Sequence, residues 1–251
     1  MKKKLLVMLV AILLPCGSVF ALSVKPSRCE LNVKPGKSTS GVYMVTNDTD
    51  KPLKVEISIK DWFISDQNKD LTCEKWLTFK PMSMNLAPKE TKKVNFKVKA
   101  PKTADGALFA MLSMRSMNSE ADMLNVVISV PVFVILTGTE KVNGNLEKIA
   151  FRKEGDNLQV SFDVVNNGNI HLRPKGVCVL KAVDGSENVI DIPEARPVYP
   201  GKMRTSVGRT ALANLKDGVY TAVIRISSGN IELTFQGKVV IDKSKDEFIV
   251  E

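Results

Sequence analysis

The chain has 251 residues, 25% of them charged, with a formal net charge of +9, four cysteines and one histidine. A single histidine excludes an HExxH zinc site and a histidine metal cluster, and the cysteines lack the paired spacing of a zinc site. The basic balance does not imply nucleic acid. Lys92, Lys93, Lys97 and Lys99 fall in a strand-like segment, as on a solvated strand face, and no motif with aromatic stacking residues accompanies them. Such a surface suits an anionic envelope or an acidic partner.

Residues 1–21 read as a secretory signal peptide: Lys2, Lys3 and Lys4 at the start, an apolar run over 5–14, and a small-residue cleavage site at Val19-Phe20-Ala21. The apolar run is too short to anchor the chain in a bilayer. Cys16 stands where a lipoprotein would be acylated, but Pro15 precedes it where a small residue is required, and cleavage after Ala21 discards both. The leader holds three of the lysines, leaving +6 on the mature chain. No later segment has the length and apolarity of a membrane helix, so the expectation is export to the periplasm or another part of the envelope, with no transmembrane segment. Disulfides persist there. Cys29 and Cys73 fall in one domain, and a bridge between them would be worth about 4 kcal/mol in the chain-entropy view; the other reading is reduced packing residues. Cys178, in VCVLKAV, reads as a buried thiol.

A first domain over 22–138 is predicted to hold short strands separated by turns. Residues 28–33 lead to the turn Lys34-Pro35-Gly36-Lys37, and 41–46 end at the turn formers Asn47-Asp48-Thr49-Asp50. Residues 53–61 alternate cleanly, with Leu53, Val55, Ile57 and Ile59 on one face, and Trp62 and Phe63 extend the apolar content. Strands follow at 76–79, 94–98 and 107–114, with the turn Ala87-Pro88-Lys89-Glu90 between the first two and a polar loop over 115–122 after the last.

The stretch that organises the chain is 126–136, VVISVPVFVIL. Its β-branched composition reads as a strand, and both faces are apolar. Pro131 has no N–H to give a sheet, which places such a strand at an edge or at a bulge. Two readings follow: a core strand bulged at Pro131, or an edge that receives a strand from another protein.

Residues 139–145 form a linker, and a second set of strands fills 146–242, punctuated by turns at Asn166-Asn167-Gly168-Asn169, Asp184-Gly185, Pro200-Gly201, Asp217-Gly218 and Ser228-Gly229. Residues 243–251 read as a frayed tail. Short strands with little helical periodicity give an all-β fold: two tandem immunoglobulin-like β-sandwich domains.

Nothing marks an enzyme. There is no nucleophile elbow, no phosphate-binding glycine loop and no cofactor motif. Asp61 with Asp66 and Glu120 with Asp122 are carboxylates in polar loops or at strand ends, with nothing to single out a catalytic pair. His171 reads as an ordinary strand residue after a turn.

Taken in order, these segments resemble the periplasmic chaperones of the chaperone–usher pilus pathway. The likeness rests on Pro26-Ser27-Arg28 on the first strand, on 41–47 with Asp50 and Pro52, and on Leu86-Ala87-Pro88-Lys89-Glu90 before a strand of alternating basic and apolar residues. It continues through 107–115, and Leu124, Val126 and Ile128 fall where that family carries the alternating residues that fill a subunit's groove. The second half is similar only in being another sandwich. The resemblance implies partner binding by Arg28, Leu124, Val126, Ile128, Val130 and Val132. It also implies a pilin-like exported subunit as partner, with an outer-membrane usher. One position departs from the family: where it pairs the first-strand arginine with a lysine to grip a subunit's carboxylate, this chain has Phe133. Two functions stand at this point: an exported chaperone assisting assembly of pilus or other surface subunits by strand addition, or a structural or adhesive envelope protein binding protein or glycan.

Overall fold

The structure is a computed structural model describing residues 22–60, 72–117 and 125–250. The segment expected to be a signal peptide, with Cys16, and also Trp62, Phe63, the Asp61/Asp66 and Glu120/Asp122 pairs and Leu124 lie outside the described residues. Among the described residues no helix is long and apolar enough to cross a membrane.

The first domain packs two sheets face to face. One has the order β1 (Leu22–Lys25), β3 (Ser38–Asn47), β7 (Thr91–Lys99), β5 (Leu77–Lys80). The other has the order β2 (Cys29–Val33), β9 (Val127–Leu136), β8 (Ala107–Met117), β4 (Leu53–Lys60), β6 (Ser83–Leu86). The first strand is thus shared: β1 pairs with β3 in one sheet, the chain turns through Pro26-Ser27-Arg28, and β2 pairs with β9 in the other. Alternation in sequence becomes two faces in the fold. Val94, Phe96 and Val98 of β7 enter the core while Lys93, Lys97 and Lys99 face out, and Leu53, Val55 and Ile57 of β4 do the same from the other sheet.

The second domain is a curled sheet of eight strands, β13-β12-β15-β16-β17-β10-β11-β14. These are β10 (Gly144–Glu154), β11 (Asn157–Asn166), β12 (Lys175–Ala182), β13 (Glu187–Ile192), β14 (Met203–Ala211), β15 (Gly218–Ser228), β16 (Ile231–Ile241) and β17 (Glu247–Val250). Its ends, β13 and β14, pack together, so the sheet folds into the two leaves of a sandwich around Phe151, Phe162, Leu180 and Ile224. The tail expected to fray is instead β17. Phe248 is buried, Val250 packs against the same core, and the four residues bridge β10 to β16, joining the two leaves.

The cysteine bridge does not form. No disulfide joins Cys29 and Cys73, and the sheet explains why. Cys29 on β2 pairs with Val132 of β9, while the Cys73 N–H donates to Phe109 of β8. Three strand spacings separate them, about 14 Å, where a disulfide needs Cα atoms within about 7 Å. Cys178 is buried on β12 as expected, and burial pushes its thiol up to about 12.

The domains meet at one tightly bonded corner. Asn169, in the turn after β11, donates to the Thr139 carbonyl at 2.9 Å and accepts from the Lys141 N–H at 2.6 Å. Its own carbonyl accepts the Ala107 N–H at the start of β8. Gly106 lies against that carbonyl with φ +69°, in the left-handed region glycine tolerates. The linker is therefore fixed to both domains.

Candidate partner-binding edge and the interdomain cleft

β9 is central at one end and an edge at the other. β8 pairs with it along its length, Ala107↔Ile135 through Arg115↔Val127. β2 pairs only with its last five residues, Cys29↔Val132 through Val33↔Leu136. Along Val127–Pro131 no strand among the described residues lies on that side. The direction of the backbone groups follows from the flanking bonds. The Leu136 N–H donates to Gly106 and the Val126 carbonyl accepts from Ser116, both toward β8, whereas the Thr137 N–H donates to Val33 on the β2 side. Even residues therefore serve β8, and odd residues point toward β2 or, before it begins, to the open edge. Pro131 is an odd residue. Its missing N–H costs no bond to β8, and its carbonyl accepts from the buried Tyr43 hydroxyl at 2.6 Å. The strand is therefore core beyond Pro131 and edge before it, and the predicted bulge is absent, since the register with β8 runs unbroken through Met111↔Pro131.

The predicted contact residues separate accordingly. Val130 and Val132 are 4% and 0% exposed and pack in the core, so their side chains are not available to a partner: on a two-sided strand they share the inward parity. Ile128, of the same parity, packs partly against that core near the open end of the sandwich. Val126 is half-buried. The outward side chains are Val127, 45% exposed, and Ser129, whose hydroxyl meets that of Ser113 at 2.5 Å.

Arg28 lies beside this edge, in a cleft between the domains, and is already engaged. Its guanidinium pairs with Glu30 of β2 at 3.3 Å and with Glu194 of the second domain at 3.4 Å. Glu30 in turn accepts from Arg173 of the second domain at 2.9 Å. The Glu30 carboxyl is held at about 2, chiefly by His171, whose Nε2 faces it at 3.9 Å; partial burial opposes this, and the charges of Arg173 and Arg28 add to the pull of His171. At 3.9 Å the imidazole is beyond hydrogen-bond reach, so it acts through its polarity rather than a formed bond. Phe133 is buried beneath this web. The Arg173 guanidinium sits 4.8 Å above its ring, and Phe109, His171 and Tyr199 pack around it. The second domain thus places a cation over the Phe133 ring.

His171 does not lie in a strand; it is buried in the segment between β11 and β12. Its Nδ1 and the Nη2 of Arg173 are buried with no hydrogen-bond partner among the described residues. Sequence reasoning missed Glu30, His171, Arg173 and Glu194 as one cluster. The only signal was the acidic residue two places after Arg28.

No protein-family model and no curated protein matches the chain. Solved structures do. The class 5 fimbriae chaperone CfaA aligns over 92% of this chain and 98% of its own, with a TM-score of 0.50 at 13% identity. The YadV chaperone aligns over 88% and 100% with a TM-score of 0.49 at 13% identity. A structure of the Salmonella enterica SafA pilin with the SafB chaperone aligns over 87% and 97%, with a TM-score of 0.49 at 12% identity. At these identities the likeness concerns architecture, and the chain has the two-domain immunoglobulin-like fold seen in fimbrial chaperones.

Proposed function

We propose that this protein is an exported, non-enzymatic assembly chaperone that holds a pilin-like surface subunit by strand addition along the open half of β9. The observation that supports this best is the backbone of Val127–Pro131, whose odd residues aim at no strand of the described chain. A guest strand there would gain main-chain bonds from Val127 and Ser129. Val126 and Ile128, with Leu124 beyond the described residues, would supply apolar contacts at the end of the sandwich. The chaperone-like fold agrees with this reading, and the periplasm and an outer-membrane usher belong to the same proposal.

The test uses the direction of one N–H. Ser129→Pro removes a donor aimed at the guest and none aimed at β8, whereas Val130→Pro removes one that β8 uses and is expected to unfold the domain. Native mass spectrometry of tagged protein recovered from the envelope of its own cells should show a stoichiometric complex with a small exported subunit. Ser129→Pro should abolish that complex while circular dichroism still shows a folded protein, with the melting temperature lowered only by loss of the Ser113–Ser129 hydroxyl bond. A bare monomer from the wild type, or a complex that survives in folded Ser129→Pro, overturns the proposal.

A further inference from the structure

The outer face of the β1-β3-β7-β5 sheet carries a charge pattern found on no other sheet of the chain. These four strands contain Lys25, Lys80, Lys92, Lys93, Lys97 and Lys99 and not one aspartate or glutamate. Register places five of these lysines on one face. Lys93 lies opposite Met44, which lies opposite Lys25; Lys97 lies between Ser40 and Thr78; Asn95 lies between Val42 and Lys80; and Lys99 lies opposite Ser38. All five lysines are exposed, and none is paired with a carboxylate among the described residues. Several strand lysines elsewhere have acidic partners, as Lys54 has Glu56, Lys148 has Asp163 and Lys181 has Glu187. A face that only needed solvation would be interleaved in that way, because like charges crowded on a sheet repel.

Lys93, Lys97 and Lys99 form a row of about 20 Å along β7, with Lys80 one strand away. Between them lies a shallow hollow of about 290 Å³ lined by Ser40, Thr78, Phe79, Lys80, Asn95, Phe96 and Lys97. Its remaining donors and acceptors are hydroxyls and an amide. The cations are all lysine, and the face holds no tyrosine, tryptophan or arginine. Phe79 and Phe96 pack against the core from beneath the hollow, so the face offers no open aromatic platform for nucleic-acid bases, and lysine-rich surface is poor for a protein interface. It suits a hydrated, linear polyanion bearing many hydroxyls. We infer that this face binds an acidic glycan, laid along β7 with its anionic groups on Lys80, Lys93, Lys97 and Lys99. The face lies on the sheet that does not contain β9, so the inference is independent of strand addition.

The probe is fluorescently labelled alginate, a linear uronate polymer, titrated with the purified protein at about 150 mM salt, where only clustered charge survives screening. The quadruple variant K80Q/K93Q/K97Q/K99Q should bind about tenfold more weakly or worse. A variant with the same charge loss in the second domain, K175Q/K181Q/K216Q/K238Q, should stay within about twofold of wild type. Thermal melts confirm that both remain folded. No saturable binding of alginate, or equal losses in the two variants, overturns the inference. Tighter binding of poly-glutamate than of alginate overturns the glycan and assigns the face to acidic polypeptide.

Discussion

Replacing Glu30 with glutamine keeps the shape of the side chain and removes its charge from between Arg28, Arg173 and His171. The size of the effect follows from the carboxyl itself. Lowering it from an ordinary 4.5 to about 2 corresponds to about 3.4 kcal/mol at ~1.36 kcal/mol per pH unit. The Glu30 side chain keeps 37% of its surface exposed, and solvent screening reduces that figure to about 1–2 kcal/mol. The sign is fixed by the direction. A carboxylate whose folded value is depressed contributes fully above its unfolded value, and the contribution is lost as pH falls through about 4.5 toward about 2. Glu30→Gln should therefore be less stable than wild type by about 1–2 kcal/mol at neutral pH, and the two curves should converge near pH 2. Trp62 and Trp76 both lie in the first half of the sequence, so tryptophan fluorescence during urea unfolding follows the domain that carries Glu30. A gap that is the same at pH 7 and near pH 2 would refute the argument, because it would tie the loss to packing rather than to charge.

Gly106→Ala would place a Cβ on the Asn169 carbonyl oxygen at φ +69°; a loss of about 2–3 kcal/mol is expected in urea unfolding, and wild-type stability would show that the corner is not tight. The thiols of Cys29, Cys73 and Cys178 should all be present in protein purified without reductant. Intact mass after alkylation in denaturant checks this: three added alkyl groups are expected, and a single one would reveal a bridge. In the folded state Cys178 should resist alkylation at neutral pH, since burial holds its thiol near 12.

How much of this was legible in the sequence depends on the distance over which each feature is decided. The alternation in 53–61 and 94–98 gave β4 and β7 directly, because side-chain parity is a local property. The character of β9 was half legible. Pro131 marked an edge, but where edge becomes core depends on where β2 begins, and that is set by the turn through Pro26-Ser27-Arg28. Val130 and Val132 were misread as partner contacts for the same reason: parity puts them with Ile128, and only the extent of the opposing sheet says that they are covered. β6 and β17 were missed as four-residue strands whose pairing, not composition, makes them strands. The Cys29–Cys73 bridge failed on strand order, which no spacing along the chain encodes. The cleft was the least legible, since Glu30 and Arg173 are brought together only by the domain junction.

That junction also raises the question of whether the two domains stand or fall together, and a repeated device answers it. At the end of β3 the buried Asn47 accepts from the Thr49 N–H at 3.0 Å and donates to the Lys51 carbonyl at 2.8 Å and the Ala87 carbonyl at 3.0 Å. At the end of β11 the buried Asn166 accepts from the Gly168 N–H at 2.9 Å and donates to the Ile170 carbonyl at 2.7 Å and the Val198 carbonyl at 2.8 Å. In both, one amide closes its own turn at the second and fourth residues on and ties that turn to a distant loop. The corner of each sandwich is thus held from within its own domain. Asn47→Ala and Asn166→Ala should each cost about 2–3 kcal/mol, since each removes several largely buried hydrogen bonds at once. Asn47→Ala should lower the transition seen by tryptophan fluorescence and leave the rest of the circular-dichroism curve in place. Asn166→Ala should do the reverse, apart from a small shift carried through Asn169, three residues further along the same turn. Coincident shifts of equal size in both signals would mean that the Asn169 corner and the Glu30–Arg173 contact bind the domains into one cooperative unit. The cleft would then be a permanent core rather than a surface open to a partner.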